Sequence, residues 1–157
     1  MVEEPHLLIA GEPGSGKSVL LRSILTTLIF NKSAEELKLY LFDLKNSEFF
    51  IFKRLPHVVE NTRDPDRIKK RFVELVQEAN KRGDLLEKHE VPHINKLPKE
   101  IRPPFIVVCI DEFSLLVDEK KVLTAIQNLA AIGRALGIFI ILSTQRPDKE
   151  SVNQKLC

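Results

Sequence analysis

Residues 6–31 read His-Leu-Leu-Ile-Ala-Gly-Glu-Pro-Gly-Ser-Gly-Lys-Ser-Val-Leu-Leu-Arg-Ser-Ile-Leu-Thr-Thr-Leu-Ile-Phe-Asn. The short apolar run to Ala10 ends in a glycine loop. From Lys17 to Asn31, apolar residues at Val19, Leu20, Ile24 and Leu28 recur at near-helical spacing, so the order is strand, loop, helix. Gly11-x-x-x-x-Gly16-Lys17-Ser18 within it has the phosphate-binding spacing. Glycines let successive backbone N–H groups turn inward, and the helix that follows points its positive end at an anion. The nucleotide-binding set is therefore Gly11, Glu12, Pro13, Gly14, Ser15, Gly16, Lys17, Ser18 and Val19. Lys17 is expected to reach the β- and γ-phosphates of ATP, and Ser18 to ligate Mg²⁺.

Working outward, Ser33-Ala34-Glu35-Glu36 has the form of a capping box, and Leu37 to Phe42 reads as a second strand ending at Asp43. Asp64-Pro65 marks a helix start, with a stripe of Ile68, Phe72, Leu75, Val76, Ala79 and Leu86 running to about His89. Val91 to Pro104 holds four prolines and several charges and reads as a connection. Phe105 to Ile110 is an almost unbroken apolar run, as expected of a strand buried on both faces. Asp118 is placed to cap a helix that runs to Leu136 and stops at Gly137, before a last buried strand at Ile138 to Leu142. Alternating strands and helices predict an α/β fold, with a parallel sheet covered by helices on both faces.

Two further groups carry chemistry. Asp111-Glu112 ends the strand Phe105 to Ile110, and ligand sites of open α/β sheets lie at strand C-terminal ends. Asp111 is expected to hold Mg²⁺ and Glu112 to orient or deprotonate the attacking water. A carboxylate base beside the metal aspartate argues for hydrolysis, and against small-molecule kinases and GTP switches. Ser143-Thr144-Gln145-Arg146 closes the last strand. Thr144 and Gln145 are the residues expected to contact the γ-phosphate or the water.

The 157 residues, 43% of them apolar, suit one domain spanning 1–157. With 24 basic against 22 acidic residues, composition supplies no general polyanion-binding field. Arg67, Lys69, Lys70 and Arg71, with Lys96, Lys99 and Arg102, are local candidates for DNA phosphates. Cys109 and Cys157 do not form a disulfide framework, which fits a reducing, cytoplasmic setting. Apolar runs of six or seven residues fall far short of the ~20 a bilayer span needs, so this piece is expected to make no membrane contact. His89-Glu90-Val91-Pro92-His93 satisfies the letter of a zinc-protease pattern, but that chemistry needs a continuous helix and Pro92 breaks it.

Phe105 to Phe113, Gly133-Arg134-Ala135-Leu136-Gly137-Ile138 and Ser143-Thr144-Gln145-Arg146-Pro147 together resemble the motor domain of the FtsK/SpoIIIE family. Asp43-Leu44-Lys45, Leu55-Pro56-His57, Asp64-Pro65 and Lys81-Arg82 resemble that family's intervening pattern in the same order, although Leu44 stands where it usually has proline. The resemblance implies a RecA-like P-loop NTPase fold and an ATP-hydrolysing motor that assembles as a hexameric ring and moves double-stranded DNA, in chromosome segregation or conjugation. It also implies a parent anchored at the cytoplasmic face of the membrane. Relatives with a protein cargo, as in type VII secretion, are the alternative. An ATP-gated assembly module with little turnover is another. In such rings an arginine from the neighbouring subunit completes the site. Arg82 lies at the expected position, with Arg134 and Arg146 as further candidates. A RecA-like sheet also expects a strand beside the phosphate-loop strand, and nothing strand-like follows Pro147. The expectation is a fragment of a longer protein that lacks the last strand and turns ATP over slowly alone.

Overall fold

The structure is a computed structural model that describes residues 6–45, 48–116 and 118–145. Its strands are β1 (Leu7–Ala10), β2 (Leu37–Asp43), β3 (Val58–Thr62), β4 (Phe105–Asp111) and β5 (Ile138–Thr144), and its long helices are α1 (Lys17–Asn31), α2 (Pro65–Lys88) and α3 (Lys120–Leu136). Three short 3₁₀ turns cover Phe50–Phe52, Ile94–Lys96 and Phe113–Leu116. All strand pairs are parallel, in the order β1-β5-β4-β2-β3.

Alternating residues of the central strands feed two cores, because successive side chains leave a strand on opposite faces. Ile106, Val108 and Ile110 of β4 pack with Phe72, Leu75 and Ala79 of α2 and Ile126 and Leu129 of α3. Val107 and Cys109 join Leu21 and Leu25 of α1, together with Phe49 and Phe52. The sheet is thus covered on both faces, as its apolar β4 run predicts. Each valine, leucine, isoleucine or phenylalanine among them, taken fully out of water, contributes about 1.5–3 kcal/mol.

Helix boundaries follow local chemistry. The Asp64 carboxylate accepts the Asp66 N–H at 3.0 Å, and Pro65 opens α2. The Ser33 N–H donates to the Glu36 carboxylate at 3.0 Å, as a capping box requires, and a single turn forms there. Three expectations need correction. The N-cap position of α3 is Glu119, one residue after Asp118, and no side chain caps the helix there. Helix α1 buries Leu21 and Leu25, leaving Val19 and Leu20 exposed. Apolar residues surround most of this helix, so their spacing did not decide its buried face.

The third correction is β3, a strand absent from the sequence reading. Its central Glu60 is buried but held by Arg67 at 2.9 Å and Arg71 at 2.8 Å, both from α2. At the other edge β1 pairs with β5 alone among the described residues. Residues after 145, where a further strand was sought, lie outside the described ones. The H-E-x-x-H segment does not continue α2, which ends at Lys88. Glu90 has φ 53°, and the His93 Nδ1 accepts the Asn95 N–H instead.

His6 extends the β1–β5 junction with its side chain. Its Nε2 donates to the Ala130 carbonyl at 2.8 Å and its Nδ1 accepts the Ile140 N–H at 3.1 Å. Burial pulls the imidazole below its usual value, against the pull of the Ala130 carbonyl. Protonation would turn Nδ1 into a donor facing a donor. The folded state therefore favours neutral His6, and its contribution to stability is present above the ordinary histidine value of about 6.5 and lost as pH falls through the lowered one. Urea unfolding between neutral and mildly acid pH should show a smaller loss of stability in His6→Ala than in wild type. An equal loss in both would remove His6 as the cause.

Candidate active site

The C-terminal ends of β1, β5, β4 and β2 stand side by side. Ala10 is opposite Thr144 and Asp43 is opposite Asp111. Every chain segment that leaves these ends therefore enters one small region. The glycine loop leaves β1, Gln145 follows β5, Glu112 follows β4 and Lys45 follows β2.

The loop from Gly11 to Ser18 begins with the Gly11 N–H donating to the Thr144 carbonyl at 3.2 Å. It then turns through Gly14 at φ 84° and Gly16 at φ 86°, conformations a side chain strongly disfavours. Glu12, Pro13, Gly14, Ser15 and Gly16 are exposed, and Gly16 is the N-cap of α1 without any side-chain cap. The leading N–H groups of α1 are thus left for an anion. Lys17 is buried, its Nζ 3.7 Å from Asp111 Oδ1. Ser18 follows it in the first helical turn, and Val19 is exposed beyond.

Asp111 accepts the Ser143 hydroxyl at 2.8 Å. Burial pushes its carboxyl up, opposed by the Ser143 bond and the Lys17 ammonium. Glu112 has the left-handed φ of 57°, a conformation that costs an L-residue about 1–2 kcal/mol. Its carboxylate is buried among donors. Oε1 accepts the Ser114 hydroxyl at 2.5 Å, the Thr144 hydroxyl at 3.3 Å and the Gln145 backbone N–H at 3.3 Å, and Oε2 accepts Lys45 Nζ at 3.0 Å. Burial alone would raise this carboxyl, but the Ser114, Lys45 and Gln145 hydrogen bonds outweigh it and hold the group below its usual range.

The loop, Asp111-Glu112 and Thr144-Gln145 groups singled out from sequence therefore meet, and the three candidate arginines do not join them among the described residues. Arg146 lies outside the described residues. Arg82, expected to reach a neighbouring subunit, is 2% exposed. Its Nε donates to Glu78 and its Nη1 to the Leu136 carbonyl, both at 2.8 Å. A guanidinium committed in this way closes the end of α3 and does not extend from the surface. Arg134 is exposed on α3. The basic run on α2 is also partly spent inward, since Arg67 and Arg71 hold Glu60 and Lys69 pairs with Glu119 at 3.0 Å. Arg102 is turned onto the Asn95 and Leu97 carbonyls. Sequence reasoning assigned no role to Lys45, Ser114 or Asp43, whose carboxylate accepts the Glu48 and Phe49 N–H groups. The signal for Lys45 was present, in a triplet at the end of β2, but its partner lies 67 residues away.

The oxygen donors Ser18 and Asp111 suit Mg²⁺, which prefers one or two carboxylates plus phosphate and water to a protein cage. Among the described residues no group of three His, Cys, Asp or Glu side chains converges as a metal site. A parallel sheet, a glycine loop leading into a helix, and an Asp-Glu pair on a neighbouring strand together define a P-loop ATPase fold.

Residues 1–149 match the FtsK/SpoIIIE family, and the chain belongs to it. It is 36% identical to the DNA translocase FtsK of Borreliella burgdorferi, over 97% of this chain and 21% of that protein. The chain thus spans about one fifth of the length of that curated relative. Among solved structures it resembles EssC (ATPases 2 and 3) from Geobacillus thermodenitrificans, with TM-score 0.88 and 28% identity over 98% of this chain and 30% of that one. It likewise resembles the pCW3 conjugation coupling protein TcpA with ATPγS, with TM-score 0.83 and 31% identity over 98% of this chain and 46% of that one.

Proposed function

We propose that residues 1–157 form an ATP-hydrolysing motor domain that moves double-stranded DNA, within a longer protein that assembles as a hexameric ring. The observation that carries hydrolysis is the placement of Glu112 directly after Asp111, buried and hydrogen-bonded to the end of β5. A storage or switch site does not need a second, positioned carboxylate. The DNA cargo is supported by the likeness to FtsK translocases and to a conjugation coupling protein.

In this reading the loop N–H groups and Lys17 bind the triphosphate of ATP. Ser18 and Asp111 would hold Mg²⁺, whose chemistry there would be to offset phosphate charge. Ser143 keeps the Asp111 carboxylate aimed. Glu112 takes the proton of the attacking water, while Thr144 and Gln145 orient the carboxylate and face the terminal phosphate. An arginine from the adjacent subunit completes the charge stabilisation, and Arg134 and Arg146 are the positions to test. Among the described residues no helix is long and apolar enough to cross a membrane. Anchoring of the longer protein at the cytoplasmic membrane face belongs to the same reading.

The test is ATP turnover by the intact protein with and without duplex DNA. Stimulation by duplex is the expected result. Turnover indifferent to DNA, in a protein that otherwise hydrolyses ATP, rejects the DNA cargo. The likeness to the Thermomonospora curvata type VII secretion ATPase EccC makes a protein cargo the reading to examine next.

A further inference from the structure

Lys45 stands two residues beyond the end of β2, and β2 lies beside β4 with Asp43 opposite Asp111. The register therefore carries this turn over Glu112. Around it the chain is tied down. The Asp43 carboxylate takes the Glu48 and Phe49 N–H groups at 2.8 and 3.0 Å, and Glu48 pairs with Arg22 of α1 at 2.8 Å. The Lys45 side chain itself is 39% exposed, whereas that of Glu112 is 4% exposed.

The donors around Glu112 are unequal. Those on Oε1 come from Ser114, Thr144 and the Gln145 backbone, all short or rigid groups next to the base or on the adjacent strand. The one on Oε2 is a flexible ammonium at the solvent edge. A carboxylate that is to take a proton from water must offer it a lone pair, and here both oxygens already accept strong donors. Lys45 is the donor that can leave without disturbing the strand ends. What would draw it away is a stronger anion, and Lys17, paired with Asp111 beside Glu112, is the lysine that in a phosphate loop reaches the terminal phosphates.

We propose that Lys45 is a positioning residue that exchanges between Glu112 and the terminal phosphate of a nucleoside triphosphate, so that the base is released only when there is a phosphate to attack. The proposal rests on the ATP reading of the glycine loop. With a diphosphate, Lys45 stays on Glu112 and the base is held. Lys45 thereby distinguishes ATP from ADP by binding as well as by rate.

Calorimetric titration of the intact protein with Mg-ADP and Mg-ATPγS tests this in wild type, Lys45→Met, Lys45→Arg, Glu112→Gln and the double variant. Lys45→Met should weaken ATPγS about tenfold, within the usual range of coupling between sites, and leave ADP unchanged. Lys45→Arg should keep the discrimination. Glu112→Gln, by loosening the hold on Lys45, should tighten ATPγS when Lys45 is present and have no effect on it in the Lys45→Met background. Unchanged ADP binding shows that the site remains folded. Equal weakening of both nucleotides, or no change in either, overturns the exchange while leaving the ATP reading intact. Wild-type protein that binds neither nucleotide overturns both.

Discussion

Glu112→Gln is expected to lower ATP turnover about 10²–10⁴-fold, the usual worth of a positioned general base, while nucleotide remains bound at least as tightly. Glutamine keeps the size and one carbonyl oxygen of the side chain, so the Ser114 and Thr144 hydroxyls and the Gln145 N–H retain an acceptor. It cannot take a proton. The loss of the ion pair to the half-exposed Lys45 should cost little stability, about 0–1 kcal/mol. The measurement is kcat for the assembled intact protein with duplex DNA, together with equilibrium binding of ATP. Turnover close to that of wild type would show that another group is the base, and loss of binding would show that Glu112 shapes the loop instead.

Arg82→Ala should act on the fold and not on the chemistry. Its guanidinium joins Glu78 on the surface of α2 to the Leu136 carbonyl at the end of α3. Truncation leaves a buried carbonyl without its charged donor and opens space between the helices. Removing a charged hydrogen bond of this kind costs about 1.5–3 kcal/mol. Arg82→Lys should recover only part of this, because one ammonium does not reproduce the two-directional reach of the planar group. Denaturant unfolding checks the loss of stability, and kcat per folded subunit should remain at the wild-type level. A variant of normal stability whose assembled ring has lost turnover would restore Arg82 as the residue supplied across a subunit boundary.

The contrast between these two residues shows where sequence reading succeeds. The place of Glu112 at a strand end was legible because it is set locally. The residue follows a buried apolar strand and an aspartate, and strand ends of parallel sheets are where sites form. The phosphate loop was legible for the same reason, since Gly14 and Gly16 take backbone angles that glycine alone accepts readily. The burial of Arg82 was not legible, because its position in the chain matched a family pattern while its partner, the Leu136 carbonyl, lies at the far end of α3. Glu60 is the complementary case. A strand with an acidic residue at its centre reads as a loop until Arg67 and Arg71 are brought over it.

By itself the sequence determined the α/β class, the span of α2, the phosphate loop and the Asp111-Glu112 pair. These rest on periodicity, capping and backbone conformation, which act over a few residues. Only the tertiary structure decided which face of α1 is buried, that β3 exists, that Arg82 turns inward, and that Lys45 meets Glu112. Each of these depends on contacts between elements distant in the chain, and a parallel sheet sets its neighbours by crossover connections that no local pattern specifies.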